Sequence, residues 1–417
     1  MKIILSNYRY FDAGGPERYL FSVKKAFKNK GIKIYPFSVK SKRNHPTQWD
    51  KFFLSPVSSN DAVFFHEYKK DIKTRIKVLE RAFYSPEGFY KAWRYAGRTE
   101  ADIVYSLQFL NKMSPSVLDG FKSAGLPVIV RLSDFGLICP QPTLFCNGKI
   151  CESWIGSSSL SCAKKKCFQN SYLATMVKSL ALTFQKQIGS FSRIDAFICP
   201  SKFTRQKYIE AGFPGKKIHY IPTFIQAEDI APNFSHDGYI LYFGRVVEEK
   251  GVHVLLKAWE LIKGKRPKLI VVGNLENNKY HLLLKKRYSH AVRFIDFLPK
   301  KELYQFIENS MFVIVPSIWY DNLPNALLES YAHGKAVIAS RHGCFPEFVK
   351  EKETGLLFSP GNAEALADKL NWAINNQGQM ADMGKNARKY VEKHFPENLH
   401  VNRLIALFRS VLKSSKK

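Results

Sequence analysis

The sequence predicts an α/β fold built from two doubly wound domains. Three observations carry this. The chain has 417 residues, more than one ordinary α/β core fills and enough for two domains of roughly 200 residues each. Short apolar runs alternate with helix-length segments, the pattern of a parallel sheet covered on both faces. The alternation stops at 222–238, a stretch holding Pro222 and Pro232 with little periodicity, and then starts again.

In the first half, Lys2 to Asn7 reads as a strand, followed by a loop containing Asp12-Ala13-Gly14-Gly15-Pro16. Glu17 to Lys30 is amphipathic, with Leu20, Val23, Ala26 and Phe27 on one face, and Gly31 closes it before a strand at Ile32 to Phe37. Further strands are predicted at Ala62 to Phe65, Ile103 to Tyr105, Val128 to Val130 and Ala196 to Ile198. After the hinge come a strand at Tyr239 to Phe243, a helix at Gly251 to Ile262, and strands at Leu269 to Val272, Phe312 to Val315 and Ala336 to Ala339. The tail from His394 to Leu412 reads as a helix.

Apolar residues make up 45% of the chain, which excludes a disordered protein. Met1 to Leu5 is too short an apolar stretch for an export signal, and no run of about 18 apolar residues predicts a membrane span. The longest candidate, Leu173 to Phe184, is broken by Lys178 and reads as a buried helix. Seven cysteines without an export signal suit a reducing compartment. The net charge of +29 is uneven: residues 1–225 hold 36 Lys and Arg against 15 Asp and Glu, residues 226–417 hold 28 against 20. An excess of +21 in the first half calls for an anionic partner, whether nucleic acid, an acidic membrane or a phosphorylated substrate.

Four loop features carry candidate chemistry. Gly14 and Gly15 follow the first strand and open a helix, where backbone amides and the helix terminus favour an anion; a tight turn uses the same residues. Gly244-Arg245, with Lys250-Gly251 at the next helix start, puts a guanidinium fork and a point charge on one loop, suited to a pyrophosphate or simply to a solvated turn. Asp321-Asn322-Leu323-Pro324 runs into a helix with Pro324 at its first position and Glu329 about two turns inside. That spacing separates the carboxylates by roughly 10 Å along the helix axis, too far to share a proton and suited to the two ends of one extended ligand. Gly343, in His342-Gly343-Cys344-Phe345-Pro346-Glu347, follows another strand and offers amides to an anion, with Glu347 as a cap.

Together these four features, in this order over nearly the whole chain, resemble retaining glycosyltransferase family 4, of the GT-B fold, with two Rossmann-like domains facing a central cleft. Gly-Gly-Pro-Glu-Arg resembles that family's first glycine loop, Ile198 to Phe203 its pre-hinge strand and turn, and Pro316 to Ile338 its E-x7-E segment, with Asp321 in place of the first Glu. Asp134 to Cys167 is similar to a bacterial subgroup that builds surface polysaccharides. The resemblance implies an acceptor-binding domain at 1–225, a donor-binding domain at 235–393, and a C-terminal helix at 394–417 packing back on the first domain. It implies a nucleotide-diphosphate sugar as donor, bound by Glu329 at the ribose, by Gly14, Gly15, Gly244, Asn322, Leu323 and Gly343 through the backbone, and by Asp321 at the sugar. Arg245 and Lys250 neutralise the leaving diphosphate, so catalysis needs no metal and no cofactor. The acceptor it implies is lipid-linked or a polysaccharide. One departure stands out: where the family carries a histidine that touches the sugar near its 6-position, this chain has Ser133, followed by Asp134. Either Asp134 makes the contact or the donor is a deoxy or otherwise modified hexose.

Two further features lie outside those motifs. Cys139, Cys146, Cys151, Cys162 and Cys167 crowd one loop; the last four, at C-x4-C-x10-C-x4-C spacing, suit a structural zinc, while small buried hydrophobes or oxidised pairs are the other uses. Tyr68, Ile72, Ile76, Leu79 and Phe83 form an apolar stripe among Lys69, Lys70, Lys73, Lys77 and Arg81, followed by Tyr84, Phe89, Tyr90, Trp93, Arg94 and Tyr95. The stripe faces either the core or an anionic membrane, and the charge favours a peripheral site at the inner face of the plasma membrane in a cytoplasmic protein. A GT-B-type sugar-nucleotide epimerase is the competing enzyme. Charge alone suggests a nucleic-acid-binding protein, but no recognised nucleic-acid module is present.

Overall fold

The computed structural model describes residues 1–59, 62, 67–154, 161–264, 266–273 and 279–415. The chain forms strands β1 (Lys2–Asn7), β2 (Lys33–Phe37), β3 (Ile103–Gln108), β4 (Val128–Arg131), β5 (Phe145–Cys146), β6 (Lys149–Ile150), β7 (Ala196–Cys199) and β8 (Ile218–Tyr220), then β9 (Tyr239–Phe243), β10 (Lys268–Val272), β11 (Val292–Ile295), β12 (Val313–Val315), β13 (Val337–Ser340) and β14 (Gly355–Phe358). The helices are α1 (Gly15–Asn29), α2 (Ile72–Phe83), α3 (Pro86–Thr99), α4 (Ser116–Ser123), α5 (Ser161–Lys164), α6 (Tyr172–Gln187), α7 (Lys202–Glu210), α8 (Val252–Leu261), α9 (Lys279–Tyr288), α10 (Lys300–Glu308), α11 (Asn325–Ala332), α12 (Phe345–Phe348), α13 (Ala363–Asn375), α14 (Gln377–His394) and α15 (Glu397–Ser414). Of the predicted strand at Ala62 to Phe65, residues 63–65 lie outside the described residues.

Two six-stranded sheets result, ordered β2-β1-β3-β4-β7-β8 and β11-β10-β9-β12-β13-β14, and every pair within them is parallel. In each, the strand order reverses once, between β1 and β3 and between β9 and β12. Open parallel sheets bind ligands beyond the strand C-termini at such reversals.

The alternation along each strand explains the layers. Ile3 and Leu5 face α1 and α15, packing with Leu20, Val23, Leu404 and Phe408; Ile4 and Val104 face the other way, with Tyr95, Val117 and Phe121 of α3 and α4. In the second sheet, Ile240 and Tyr242 pack with Leu255 and Trp259 of α8, while Leu241 and Phe243 pack with Leu328 and Tyr331 of α11. The sheets are covered on both faces, so β9 reads as an unbroken apolar run, YILYF, every residue buried.

Helix α15 crosses to the first domain. Its Phe408 ring lies 5.9 Å from Phe27 and 5.4 Å from Tyr105. His400 ties the crossing down: Nδ1 lies 2.6 Å from the Pro222 carbonyl and Nε2 2.9 Å from the Tyr19 hydroxyl. A carbonyl only accepts, so Nδ1 carries the proton and Nε2 accepts from Tyr19. The segment linking the sheets is held by α14: Arg388 donates to the carbonyls of Ala227, at 2.8 Å, and Ile230, at 2.7 Å.

Three expectations change. The helix at Leu173 to Phe184 is not buried: Leu173, Leu180 and Phe184 are exposed, because α6 is a surface helix whose inner face alone, Ala181, Leu182 and Gln185, packs inward. Pro324 is the N-cap of α11 rather than its first residue, and Glu329 is the fifth residue of that eight-residue helix, a little over one turn in rather than two. Arg81 is fully buried rather than on the solvated face of α2, since its guanidinium pairs with Glu87 at 2.7 Å and donates to the Met113 and Ser55 carbonyls. Strands β5, β6, β8, β11 and β14 were not foreseen; their apolar runs are too short to register.

Candidate functional site

At the second sheet's reversal, two loops meet. After β9, Gly244 leads through Arg245 into a short 3-10 turn, Glu248–Lys250. After β12, Pro316 leads to Asp321 and α11. Gly251 makes the approach close: its φ is +70°, and a Cβ there would stand 1.9 Å from the Pro316 carbonyl oxygen. Only glycine fits. Lys250 is thereby held against the second loop, its ammonium 2.8 and 2.9 Å from the two Asp321 oxygens, with the Ser317 hydroxyl donating to the same carboxylate at 2.7 Å. The Trp319 ring lies 5.0 Å below the ammonium. Asp321 is buried, and its two contacts hold the Lys250 ammonium in place.

Gly343 lies on the other side of this loop, where an added Cβ would touch Tyr320 at 3.4 Å and the Asp321 carbonyl at 3.6 Å. Arg245 is not gathered with Lys250: its guanidinium is exposed, 3.4 Å from Glu249. Leu323 is half-buried. The Asn322 side chain clasps the first domain, donating to the Ser133 carbonyl at 2.6 Å and accepting from Thr204 at 2.7 Å. Glu347 makes a second clasp, accepting the amides of Lys202 at 2.8 Å and Phe203 at 3.3 Å, so it caps α7 across the domain boundary.

Between the domains lies a cavity of 540 Å³ lined by Gly14, Gly15, Arg18, Tyr304, Asn325 and Glu329 among others. Gly15 lies against the second domain, since a Cβ there would be 3.2 Å from Asn325 Nδ2. Glu329 is buried, and burial raises its carboxyl against the opposing pull of Arg18 and Lys300. Arg18, from the first domain, reaches it at 3.4 Å. Arg18 closes the Gly-Gly-Pro-Glu-Arg motif read from the sequence but had no contact assigned to it there, and Lys300 was not singled out.

A second cavity, of 220 Å³, opens beyond β3 and β4 and is lined by Tyr8, Lys112, Ser133, Asp134 and Lys178 among others. Asp134 Oδ1 accepts from the Gly136 amide at 2.8 Å. Burial raises its carboxyl, opposed by that amide and by Lys178. Tyr105, at the end of a predicted strand, is fully buried in the core beside Tyr19.

The five clustered cysteines are all buried and unoxidised. A hydrogen bond to Cys162 and burial raise the Cys139 thiol, and burial with the neighbouring Cys146 raises Cys167. The thiols thus associate as 139 with 162 and 146 with 167, a grouping that includes Cys139, outside the predicted four. Among the described residues, no group of three or more His, Cys, Asp or Glu is arranged to hold a metal ion.

The outer face of the first domain carries exposed apolar side chains among its cations. Ile72 is 75% exposed, Ile76 61%, and Leu173 63%. Helices α2 and α6 adjoin, with the Phe83 and Phe184 rings 5.9 Å apart. Among the described residues, no helix is long and apolar enough to cross a membrane.

The arrangement has close counterparts among solved structures. Sucrose-phosphate synthase from Thermosynechococcus elongatus superposes over 99% of both chains with a TM-score of 0.72 at 17% identity. The fold is GT-B. Anabaena HepE, solved with UDP and glucose, shares the GT-B architecture over 98% of this chain and all of its own, with a TM-score of 0.64 and 16% identity. Residues 226–390, which hold the Lys250 and Asp321 loops and Glu329, match the family described as glycosyl transferases group 1. The Staphylococcus aureus capsular polysaccharide biosynthesis glycosyltransferase CapM is 26% identical over 196 residues, 43% of this chain and 48% of CapM. The chain thus spans about half the length of this curated relative.

Proposed function

We propose that the chain is a retaining, metal-independent glycosyltransferase that moves a hexose-type sugar from a nucleotide-diphosphate sugar to a lipid-linked or polysaccharide acceptor. The observation that carries the reading is that the segment from β12 into α11 holds both a carboxylate that fixes a cation, Asp321 on Lys250, and the buried Glu329, which with the Gly14-Gly15 loop lines a cavity of 540 Å³ that Lys250 and Asp321 do not themselves line. That volume falls within the roughly 300–1,000 Å³ usual for ligand sites. HepE's complex with UDP and glucose and CapM's part in capsule synthesis support the same reading.

Each residue then has a task. Glu329 accepts from the ribose hydroxyls, with Arg18 exchanging its contact for the ligand. Gly14, Gly15, Gly244, Gly343 and the amides of Asn322 and Leu323 let the donor's phosphates and sugar approach the backbone. The bond from the anomeric carbon to the diphosphate breaks while Lys250 and Arg245 stabilise the departing charge. The acceptor hydroxyl bonds to that carbon on the same face, and its proton passes to the leaving diphosphate. The cations do the neutralising, so no metal is needed. Ser133 is too short to reach a 6-hydroxyl as histidine does, so the donor is deoxy or modified there, or Asp134 makes the contact.

The acceptor is membrane-borne and the enzyme peripheral at the inner face of the plasma membrane. The exposed Ile72, Ile76, Leu79, Leu173 and Leu180, beside Lys69, Lys70, Lys73 and Arg75, support this. The test is a panel of nucleotide sugars offered to the purified chain, following thermal protection, nucleoside diphosphate release and anomeric configuration by NMR. One donor should protect, with release dependent on acceptor, unaffected by chelator and giving a retained product. Conversion of the donor to its epimer without acceptor, or a product of inverted configuration, refutes the reading.

A further inference from the structure

An open groove of 740 Å³ lies beside the edge of the first sheet, between α3 and the 3-10 turn Asp50–Phe52. Three aromatic side chains line it. Trp49 is wedged between the edge strand and the helix, its ring 5.2 Å from Tyr35 of β2 and 5.6 Å from Tyr95 of α3, both at near right angles, with Phe52 tilted against it at 6.0 Å. Tyr90 of α3 is the third, and it is 55% exposed. Lys91 ties the two sides together, since it donates to the Phe53 carbonyl at 2.8 Å from a position on α3.

The rest of the lining is cationic. Tyr90, Arg94 and Arg98 recur every four residues, so they form one stripe of α3 roughly 12 Å long, and Lys51 adds a further charge from the turn. Arg94, Arg98 and Lys51 are exposed, and among the described residues none of the three has a carboxylate within ion-pair distance. Like charges four apart on a helix repel. Glu87, the carboxylate in the wall, does not offset them, because it is committed to Arg81 at 2.7 Å, to Lys91 at 3.0 Å and to the Ser55 amide and hydroxyl. Burial would raise its carboxyl, but those contacts hold it down to about 2. Helix α3 starts beside the residues that follow β3, where the Ser85 amide donates to the Ser114 hydroxyl at 3.2 Å, and ends beside the start of β1, where Glu100 meets Lys2 at 2.9 Å. The stripe therefore leads away from the strand C-termini, where the Gly14-Gly15 loop and the cleft lie.

We infer that this groove binds an acidic glycan chain away from the site of transfer. The inference rests on the glycosyltransferase reading and extends it: the chain handled is a polymer bearing repeated oxyanions, and a stretch remote from the reacting end lies along α3. Aromatic rings take the apolar C–H faces of sugar rings, and guanidinium forks take the oxyanions attached to them. A stripe of this length meets more than one sugar ring. A bilayer surface does not enter a groove, and the side chains suited to one are the aliphatic Ile72, Ile76 and Leu173 of α2 and α6, which do not line it. A single nucleic-acid strand also stacks on aromatics between cations, so it is the control the test needs.

The probes are fluorescent hexagalacturonate, which carries a carboxylate on every ring, neutral maltohexaose and a hexathymidylate strand, titrated by anisotropy at about 0.15 M salt. The proteins are wild type, Arg94→Ala with Arg98→Ala, Tyr90→Ala, and Lys285→Ala with Lys286→Ala, a charge-matched pair exposed on α9 of the second domain. Wild type should bind hexagalacturonate about tenfold or more tightly than either other probe, the arginine pair should lose about tenfold or more of that affinity, and Tyr90→Ala should lose several-fold. The lysine pair should stay within about twofold of wild type. Tyr90→Ala changes no charge and covers an arginine pair that fails to fold. Hexagalacturonate bound no better than maltohexaose, hexathymidylate bound as tightly, equal weakening by the two charge-matched pairs, or full binding in both the arginine pair and Tyr90→Ala overturns the groove. Nucleoside diphosphate binding by the same wild-type sample tests the parent reading separately: its absence refutes that reading, whereas its presence without hexagalacturonate binding overturns the groove alone.

Discussion

Lys250→Ala removes a cation from the leaving group and, at the same time, strands a carboxylate. Asp321 keeps only the Ser317 hydroxyl once both 2.8–2.9 Å contacts to Lys250 are gone. The pair is partly buried, its side chains 17% and 8% exposed, so the loss falls between the median surface pair and the buried one, about 2 kcal/mol. For a domain of this size that is roughly 4–8 °C in Tm. The chemical loss is separate: withdrawing one preorganised charge from a developing oxyanion typically costs about 10²–10³ in kcat. Asp321→Asn on the Lys250→Ala background separates the two, because an uncharged amide no longer needs the partner. The double variant should recover most of the Tm and none of the kcat. The assay is thermal unfolding alongside nucleoside diphosphate release at saturating donor. A double variant within tenfold of wild-type kcat refutes the assignment of Lys250 to the leaving group.

Three other perturbations have defined outcomes. Gly251→Ala puts a Cβ 1.9 Å from the Pro316 carbonyl at φ +70° and should cost more than about 2 kcal/mol by chemical denaturation, whereas Gly378→Ala, in α14 with nothing within 4 Å, should stabilise by roughly 0.5–1 kcal/mol; similar effects at both sites count against the close approach. Burial lowers His400 to about 3 and His333 to about 4, so the unfolded chain takes up their protons first; stability should fall as pH drops below about 6.5, by about 1.4 kcal/mol for each at pH 5.5, and a flat profile from pH 7.5 to 5.5 contradicts it. Ile72→Ser with Leu173→Ser should abolish flotation with acidic vesicles while leaving nucleoside diphosphate binding intact; equal flotation of wild type with neutral and acidic vesicles at moderate salt removes the membrane reading.

The parts legible in sequence are those fixed by local physics. Short apolar runs and period-3.6 patterning located most strands of both sheets and their helices, and the glycines and Lys250 stood out because they interrupt that patterning at strand ends, Glu329 because it lies inside the helix that follows one. What escaped was pairing at a distance. Nothing around Asp321 signals that it will hold an ammonium 71 positions away, nor does Arg18 announce a contact 311 positions off with Glu329. Lys178 looked like a break in an apolar run, whereas it turns into a cavity whose other lysine comes from a different element.

Helix α2 shows why such misses bear on function. Periodicity alone leaves the apolar stripe facing either way, and the usual choice buries Ile72, Ile76 and Leu79. The chain does the reverse: it buries Arg81, giving the guanidinium Glu87 and two backbone carbonyls as partners. The stripe is left outside, next to the exposed residues of α6. An internal ion pair therefore orients the helix. Apolar side chains exposed in this way are a solubility liability unless an apolar phase covers them. In the proposed peripheral reading, the surrounding lysines repel a basic protein and attract an acidic bilayer, and the same rotation of α2 that costs exposed hydrophobic surface would turn the first domain towards it.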